Sequence, residues 1–213
     1  CKGITKRFKK LIFAQKMNEY PIEFHPLQPF LPSGARLLML GSFPPPRQRW
    51  SMDFYYPNFN NDMWRIFGLL FFDDTHYFIV PEQKKFDREK LITFLSAKGI
   101  ALYDTACAVR RLKNNASDQF LEIEQYTDVK ALLQQMSLCN AIVTTGQKAT
   151  QTLCTQFDVQ VPEVGGSTET FFADRHITLY RMPSSSRAYP LKIEQKALAY
   201  KQMLEDLTIL ARD

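Results

Sequence analysis

The stretch LLMLGSFPPPRQRWSMDFYYPNFNNDMWRIFG, residues 37 to 68, decides the reading of this chain. Leu37 to Leu40 are continuously apolar and stop at Gly41, the pattern of a strand buried on both faces of a parallel sheet. The chain then leaves at the carboxyl edge, where open α/β sheets place their ligands. Pro44, Pro45 and Pro46 fix the backbone as extended and remove donors, leaving the amides of Ser42 and Phe43 to face a substrate. Phe54, Tyr55, Tyr56, Asn58, Asn60 and Asn61 follow, a run too rich in rings and amides to be filler. Met63, Trp64, Ile66, Phe67 and Leu70 then recur at helical spacing, which predicts a helix from about residue 61 to 72.

Outward from this segment, apolar runs predict strands at 36–41, 76–80, 99–104, 140–145 and 176–181. Helices are expected at about 84–97, 126–137, 147–156 and 191–211, with Pro190 in the first turn of the last. Ile193, Ala197, Tyr200, Leu204, Leu207 and Ala211 give that helix one apolar stripe. The alternation implies an α/β fold, a three-layer αβα sandwich on a central, mostly parallel four-stranded sheet. The loop PEVGGST, 162–168, is the nearest approach to a linker. A chain of 213 residues that is 45% hydrophobic suits one domain, taken as 17–213.

The net charge is +5, but six of the 27 basic residues lie in 1–16, which holds no acid. The remaining 27 − 6 = 21 bases face 22 acids, so the body carries −1 and the basic character belongs to this leader, a mobile arm or upstream sequence. Local charge is more informative: Arg47 and Arg49, then Arg110, Arg111 and Lys113, then Arg187 and Lys192 follow successive strand ends. On one rim they would track phosphates. Cys1, Cys107, Cys139 and Cys154 form no C-x-x-C pair, and His25, His76 and His176 have no ligand spacing. No metal or cofactor is expected. No apolar run is long enough to span a bilayer, and a cytoplasmic protein is expected.

Four segments leave the expected carboxyl edge: GSFPPP at 41–46, LYDTACAVRR at 102–111, TTGQKA at 144–149 and RMPSSSRAYP at 181–190. Their order resembles the uracil-DNA glycosylase superfamily, and within it most closely the branch that includes hypoxanthine (deoxyinosine) DNA glycosylases. That branch's pattern G-S-x-P…Y-Y-x-x-x-x-N-x-x-W is met by Gly41, Ser42, Pro44, Tyr55, Tyr56, Asn61 and Trp64. Its G-I-A-L-x-D is met by Gly99 to Leu102 and Asp104, with Arg110, Ser117 and Asp118 continuing it. The resemblance spans roughly residues 35 to 205. It implies a monomeric, monofunctional glycosylase that acts, without cofactor, on double- or single-stranded DNA bearing hypoxanthine or uracil.

Two departures constrain the chemistry implied. Uracil-specific members carry an Asp where this chain has Phe43 and a His where it has Met182, and neither substitute transfers a proton. The resemblance therefore assigns catalysis to Asn61, with leaving-group stabilisation by the backbone at Ser42 and Phe43. On residue type alone, Asn60 or Asn61 would cap the helix that starts there. Base binding falls to Gly41, Tyr55, Tyr56 and Asp104, with Phe54 and Phe59 as further stacking candidates. An ionised Asp104 can only accept. It is either protonated by burial, or faces donors on the base, or orders the loop around Arg110. Contacts to DNA fall to Arg47, Pro183, Ser184, Ser185, Ser186, Arg187 and Tyr189, the last as the wedge that fills the gap left by a flipped base. A DNA- or nucleotide-binding module that has lost hydrolysis is the alternative.

Overall fold

The computed structural model describes residues 20–114 and 117–212; the leader 1–16 lies outside them. Among the described residues, eight strands and five α-helices follow in order: β1 Ile22–Phe24, β2 Leu37–Gly41, α1 Met63–Phe72, α2 Arg88–Lys98, β3 Ile100–Asp104, β4 Ala106–Arg111, β5 Leu121–Tyr126, α3 Val129–Gln135, β6 Ala141–Thr145, α4 Gln147–Phe157, β7 Ser167–Phe172, β8 Arg175–Met182 and α5 Ile193–Asp206.

The main sheet has the order β3-β2-β6-β8-β7, parallel except for β7, which runs antiparallel to β8. Every residue of β2, β3 and β6 is buried. Because alternate side chains point to opposite faces, total burial requires a layer on each side. The fold is thus the expected three-layer αβα sandwich, with a fifth strand added to the four parallel ones. The core joins Leu37 to Leu40 with Trp64, Phe67, Phe78, Phe94 and Tyr200. Helix boundaries follow local chemistry. Asp87 caps α2 by accepting from Lys90 N–H at 3.0 Å, and Gly99 (φ 66°) ends it in the left-handed conformation that glycine adopts without a Cβ penalty.

Three expectations are corrected. Residues 76–80 form no sheet strand: Asp74 accepts from His76 N–H, successive turns follow, and only Ile79 bridges Phe86. The run is apolar because Phe78 is fully buried against Phe94 and Phe72, not because it pairs in the sheet. Tyr126 belongs to β5, so the helix expected from 126 begins only at Val129, after Asp128 caps it. α5 is shorter than expected, with Pro190 preceding it and Leu207 and Ala211 beyond its end.

A second sheet, β1-β4-β5, is antiparallel throughout. Only Thr105 separates β3 from β4, and its N–H donates to Gly41 C=O while its own C=O accepts from Thr127 N–H. This small sheet is therefore fixed at the carboxyl end of β3. There it adds the residues after β1 and those between β4 and β5 to the edge of the main sheet.

Candidate active site

The parallel register puts Gly41 beside Asp104, and Thr145 beside Met182. Over these strand ends lies a cavity of about 200 Å3 lined by Gly41, Ser42, Phe43, Tyr55, Tyr56, Asn61, Asp104, Asp118, Thr145 and Ser184 to Ser186. It continues into a wider groove of about 630 Å3 that includes Arg49, Gly146, Arg181, Pro183 and Tyr189. Arg49, Asp118, Ser184 and Ser186 border both.

Gly41 is required by close approach. A Cβ there would stand 2.4 Å from Asp104 Oδ1, so only glycine lets this carboxylate lie against the end of β2. Asp104 Oδ2 is held by His25 Nε2 at 2.9 Å. The His25 side chain is 2% exposed and packs against Tyr103 (4.6 Å between centroids) and edge-on to Phe43 (5.4 Å). Burial raises the Asp104 pKa, and the His25 hydrogen bond and charge oppose that rise. Of the three roles open to Asp104, the loop around Arg110 has another anchor: Arg110 binds Glu124 at 2.7 Å and Tyr20 C=O at 2.6 Å.

Asn61 lines the cavity, and the expected cap is displaced: the N-cap of α1 is Asp62, whose side chain makes no capping bond, with Asn61 one residue before it. Asn61 Oδ1 accepts from Met63 N–H at 2.9 Å at the start of α1, leaving Nδ2 without a protein partner among the described residues. Tyr56 takes a left-handed φ of 48°, unusual for a bulky residue, and its hydroxyl meets Thr145 Oγ1 at 3.4 Å. Burial pushes both the Tyr55 and Tyr56 hydroxyls above their ordinary range, so each stays neutral. Tyr55 OH donates to Gln28 C=O at 2.8 Å, which fixes its ring at the cavity wall. Phe54 and Phe59 turn away. Phe54 packs on Phe30, and Phe59 packs on Phe86, with the Arg65 guanidinium over both rings.

Phe43 is 9% exposed, and its ring packs with Ala106, Val109 and Leu121, so it presents backbone to the cavity rather than a reactive group. The Ser42 hydroxyl donates to Asp118 Oδ1 at 2.7 Å.

The late loop is fastened to the start of α1. Asn61 bridges Ser186, and Asp62 N–H donates to Ser185 C=O at 2.8 Å. Fully buried Lys196 of α5 donates to Asp62 Oδ2 (3.1 Å) and to Ser186 C=O (2.8 Å). Arg187 is taken up in the same network, donating to Asp62 Oδ1 at 3.1 Å, and lies outside the cavity lining. Tyr200 OH donates to Pro183 C=O at 3.1 Å, fixing the entry of the loop. Arg47 also stands apart, over the Trp50 ring and paired with Asp53. Arg49, two residues on, is the arginine of this segment that reaches the cavity.

The sequence reading thus placed Gly41, Ser42, Phe43, Tyr55, Tyr56, Asn61, Asp104 and Ser184 to Ser186 where one cavity gathers them. It missed His25 and the Asp62–Lys196 pair, and gave Asp118 no role. The EFHP run at 23–26 offers no sign of a partner, and the lysine sits inside an amphipathic stripe. Among the described residues no group of three or more His, Cys, Asp or Glu side chains converges as a metal site requires.

No protein-family model matches the chain, and no curated protein matches it. A solved structure does: the solution NMR structure of a protein from Methanosarcina acetivorans provisionally named a uracil DNA glycosylase. It is 20% identical, with a TM-score of 0.60 over 88% of this chain and 99% of that one. The two share a fold.

Proposed function

We propose that this protein is a monofunctional DNA glycosylase, acting as a monomer on double- or single-stranded DNA and needing no cofactor. It receives an everted deaminated base, hypoxanthine or uracil, in the 200 Å3 cavity and hydrolyses the N-glycosidic bond. The observation that carries this reading is the convergence on one cavity of backbone, Asn61, Asp104 and a serine loop, from elements far apart in sequence. The cavity has room for one planar heterocycle and a wall of neutral tyrosine rings to hold it. The adjoining groove, with Arg49, Arg181 and Tyr189, offers cations and a ring where sugar, phosphate and the vacated stack would lie. Asn61 Nδ2 donates without giving up a proton, and the amides near Ser42 and Phe43 stabilise charge on the departing base.

Loss of hydrolysis, leaving a DNA-binding module, is the second reading. It draws on Phe43 and Met182, which hold no proton, and on the engagement of Asn61 Oδ1 by Met63. Incision of duplexes carrying uracil, hypoxanthine or xanthine separates the two. Excision by the wild type, reduced about 10²–10³-fold by Asn61→Ala, is expected. Excision untouched by that substitution removes Asn61 from the mechanism, and tight binding with no excision of any base favours the module.

A further inference from the structure

Asp118 is a cavity-wall carboxylate for which the proposed hydrolysis has no role so far. It sits between β4 and β5, and its Oδ1 accepts from Ser42 Oγ at 2.7 Å. Its Oδ2 has no hydrogen-bond partner among the described residues, and an ideal Cβ on Gly146 would lie 3.9 Å away. This oxygen therefore stands over the turn that starts α4, where the cavity meets the groove. Lys148 Nζ donates to Asp118 C=O at 3.0 Å and also to Leu121 C=O, so the backbone carrying the carboxylate is pinned to α4.

Hydrolysis at C1′ needs a group that takes a proton from the attacking water. The Asn61 amide does not take one. Asp104 is tied through Oδ2 to His25 and through Oδ1 lies against Gly41. That leaves the open oxygen of Asp118.

We infer that Asp118 is the general base of this site, its Oδ2 accepting a proton from the water that attacks C1′ of the everted nucleoside. This rests on the glycosylase reading above. The water oxygen bonds to C1′ while the C1′–N bond breaks, its electron pair leaving on the base nitrogen. One water proton passes to Asp118, the other stays on the sugar hydroxyl, and the base nitrogen is protonated as Asp118 gives its proton back. One water is consumed. Burial raises the carboxyl above the usual Asp range, as a base working near neutral pH requires. The hydrogen bond from Ser42 lowers it, the charge of Asp104 raises it, and Lys148 and Arg111 lower it. Arg49, from the first loop, lines the same space.

The test is single-turnover base release from duplexes bearing deoxyuridine or deoxyinosine, followed from about pH 5 to 9. The wild-type rate is expected to rise with pH to a plateau. Asp118→Asn should lower that plateau about 10²–10⁴-fold and abolish the rising limb. Ser42→Ala, which removes the donor that holds the carboxyl down, should move the limb to higher pH. A limb that persists in Asp118→Asn, or a rate within about threefold of wild type, overturns the assignment. If Asp118→Asn melts early, the Ser42→Ala profile decides, and an unmoved limb counts against it. A wild type that releases no base removes the glycosylase reading and this inference together, whereas an active wild type indifferent to Asp118→Asn removes this inference alone.

Discussion

Asp62 and Asp104 are both buried carboxylates at the carboxyl edge of the main sheet, and they differ in what compensates them. Asp62 meets two permanent cations, Lys196 at 3.1 Å and Arg187 at 3.1 Å. Asp104 meets one imidazole, His25 at 2.9 Å, and keeps its other oxygen at Gly41, on the cavity wall. A carboxylate neutralised from both sides, one of whose cations also holds Ser186 C=O, serves to lock the serine loop onto α1. One with a single titratable partner and a place on the cavity wall can change its charge in response to what enters. The difference separates the part of the site that is held from the part that reads.

The largest way to break this contrast is Lys196→Met, which keeps the volume in α5 but leaves Asp62 buried with only a half-exposed arginine. Removing one partner of a buried pair costs about 3–5 kcal/mol. Urea unfolding should show it, and the Pro183–Arg187 loop should gain amide exchange. A loss under about 1 kcal/mol would mean that the network is not what fixes the loop.

His25→Ala should cost less, about 1–3 kcal/mol, by leaving one oxygen of Asp104 unpaired. Its sign with pH distinguishes the two carboxylates. Burial already raises the Asp104 carboxyl; His25 opposes that most, with a backbone hydrogen bond at Gly41 beside it, so without His25 the folded-state value rises further. A group raised on folding contributes stability at low pH and loses it as pH climbs through the folded value. The deficit of His25→Ala is therefore expected to grow between about pH 4 and pH 7, read as unfolding free energies at each. A deficit that is flat with pH would make Asp104 as inert as Asp62.

The same contrast marks what was legible in the chain. β2, β3 and β6 announced themselves because burial on both faces demands unbroken apolar runs such as LLML, IAL and AIV. β5 and β7 are partly exposed and rich in polar residues, LEIEQY and STETFF, and so lack the unbroken apolar run that marks a buried strand. At the site, Gly41, Asn61, Asp104 and the serines were readable because each ends a strand, lies just past one or stands just before a helix. Their partners were not. His25 to Asp104 spans 79 positions, Ser42 to Asp118 spans 76 and Lys196 to Asp62 spans 134, and nothing local to either end specifies the other. A lysine among Ile193, Ala197 and Tyr200 reads as a surface position until the fold turns it onto Asp62.

Arg187→Ala sharpens the comparison within Asp62 itself, with the smallest effect. Arg187 and Lys196 donate to opposite oxygens of one carboxylate at equal distance, yet the arginine side chain is 49% exposed and the lysine 0%. Water can replace the guanidinium but has no path to the ammonium. Arg187→Ala should therefore cost only about 0.2–1 kcal/mol and fade as salt rises, while Lys196→Met should be nearly salt-independent. Parallel urea melts at low and high salt measure both. Equal losses would show that Asp62 depends on the sum of its charges, whereas unequal ones would assign the locking of the serine loop to the buried lysine.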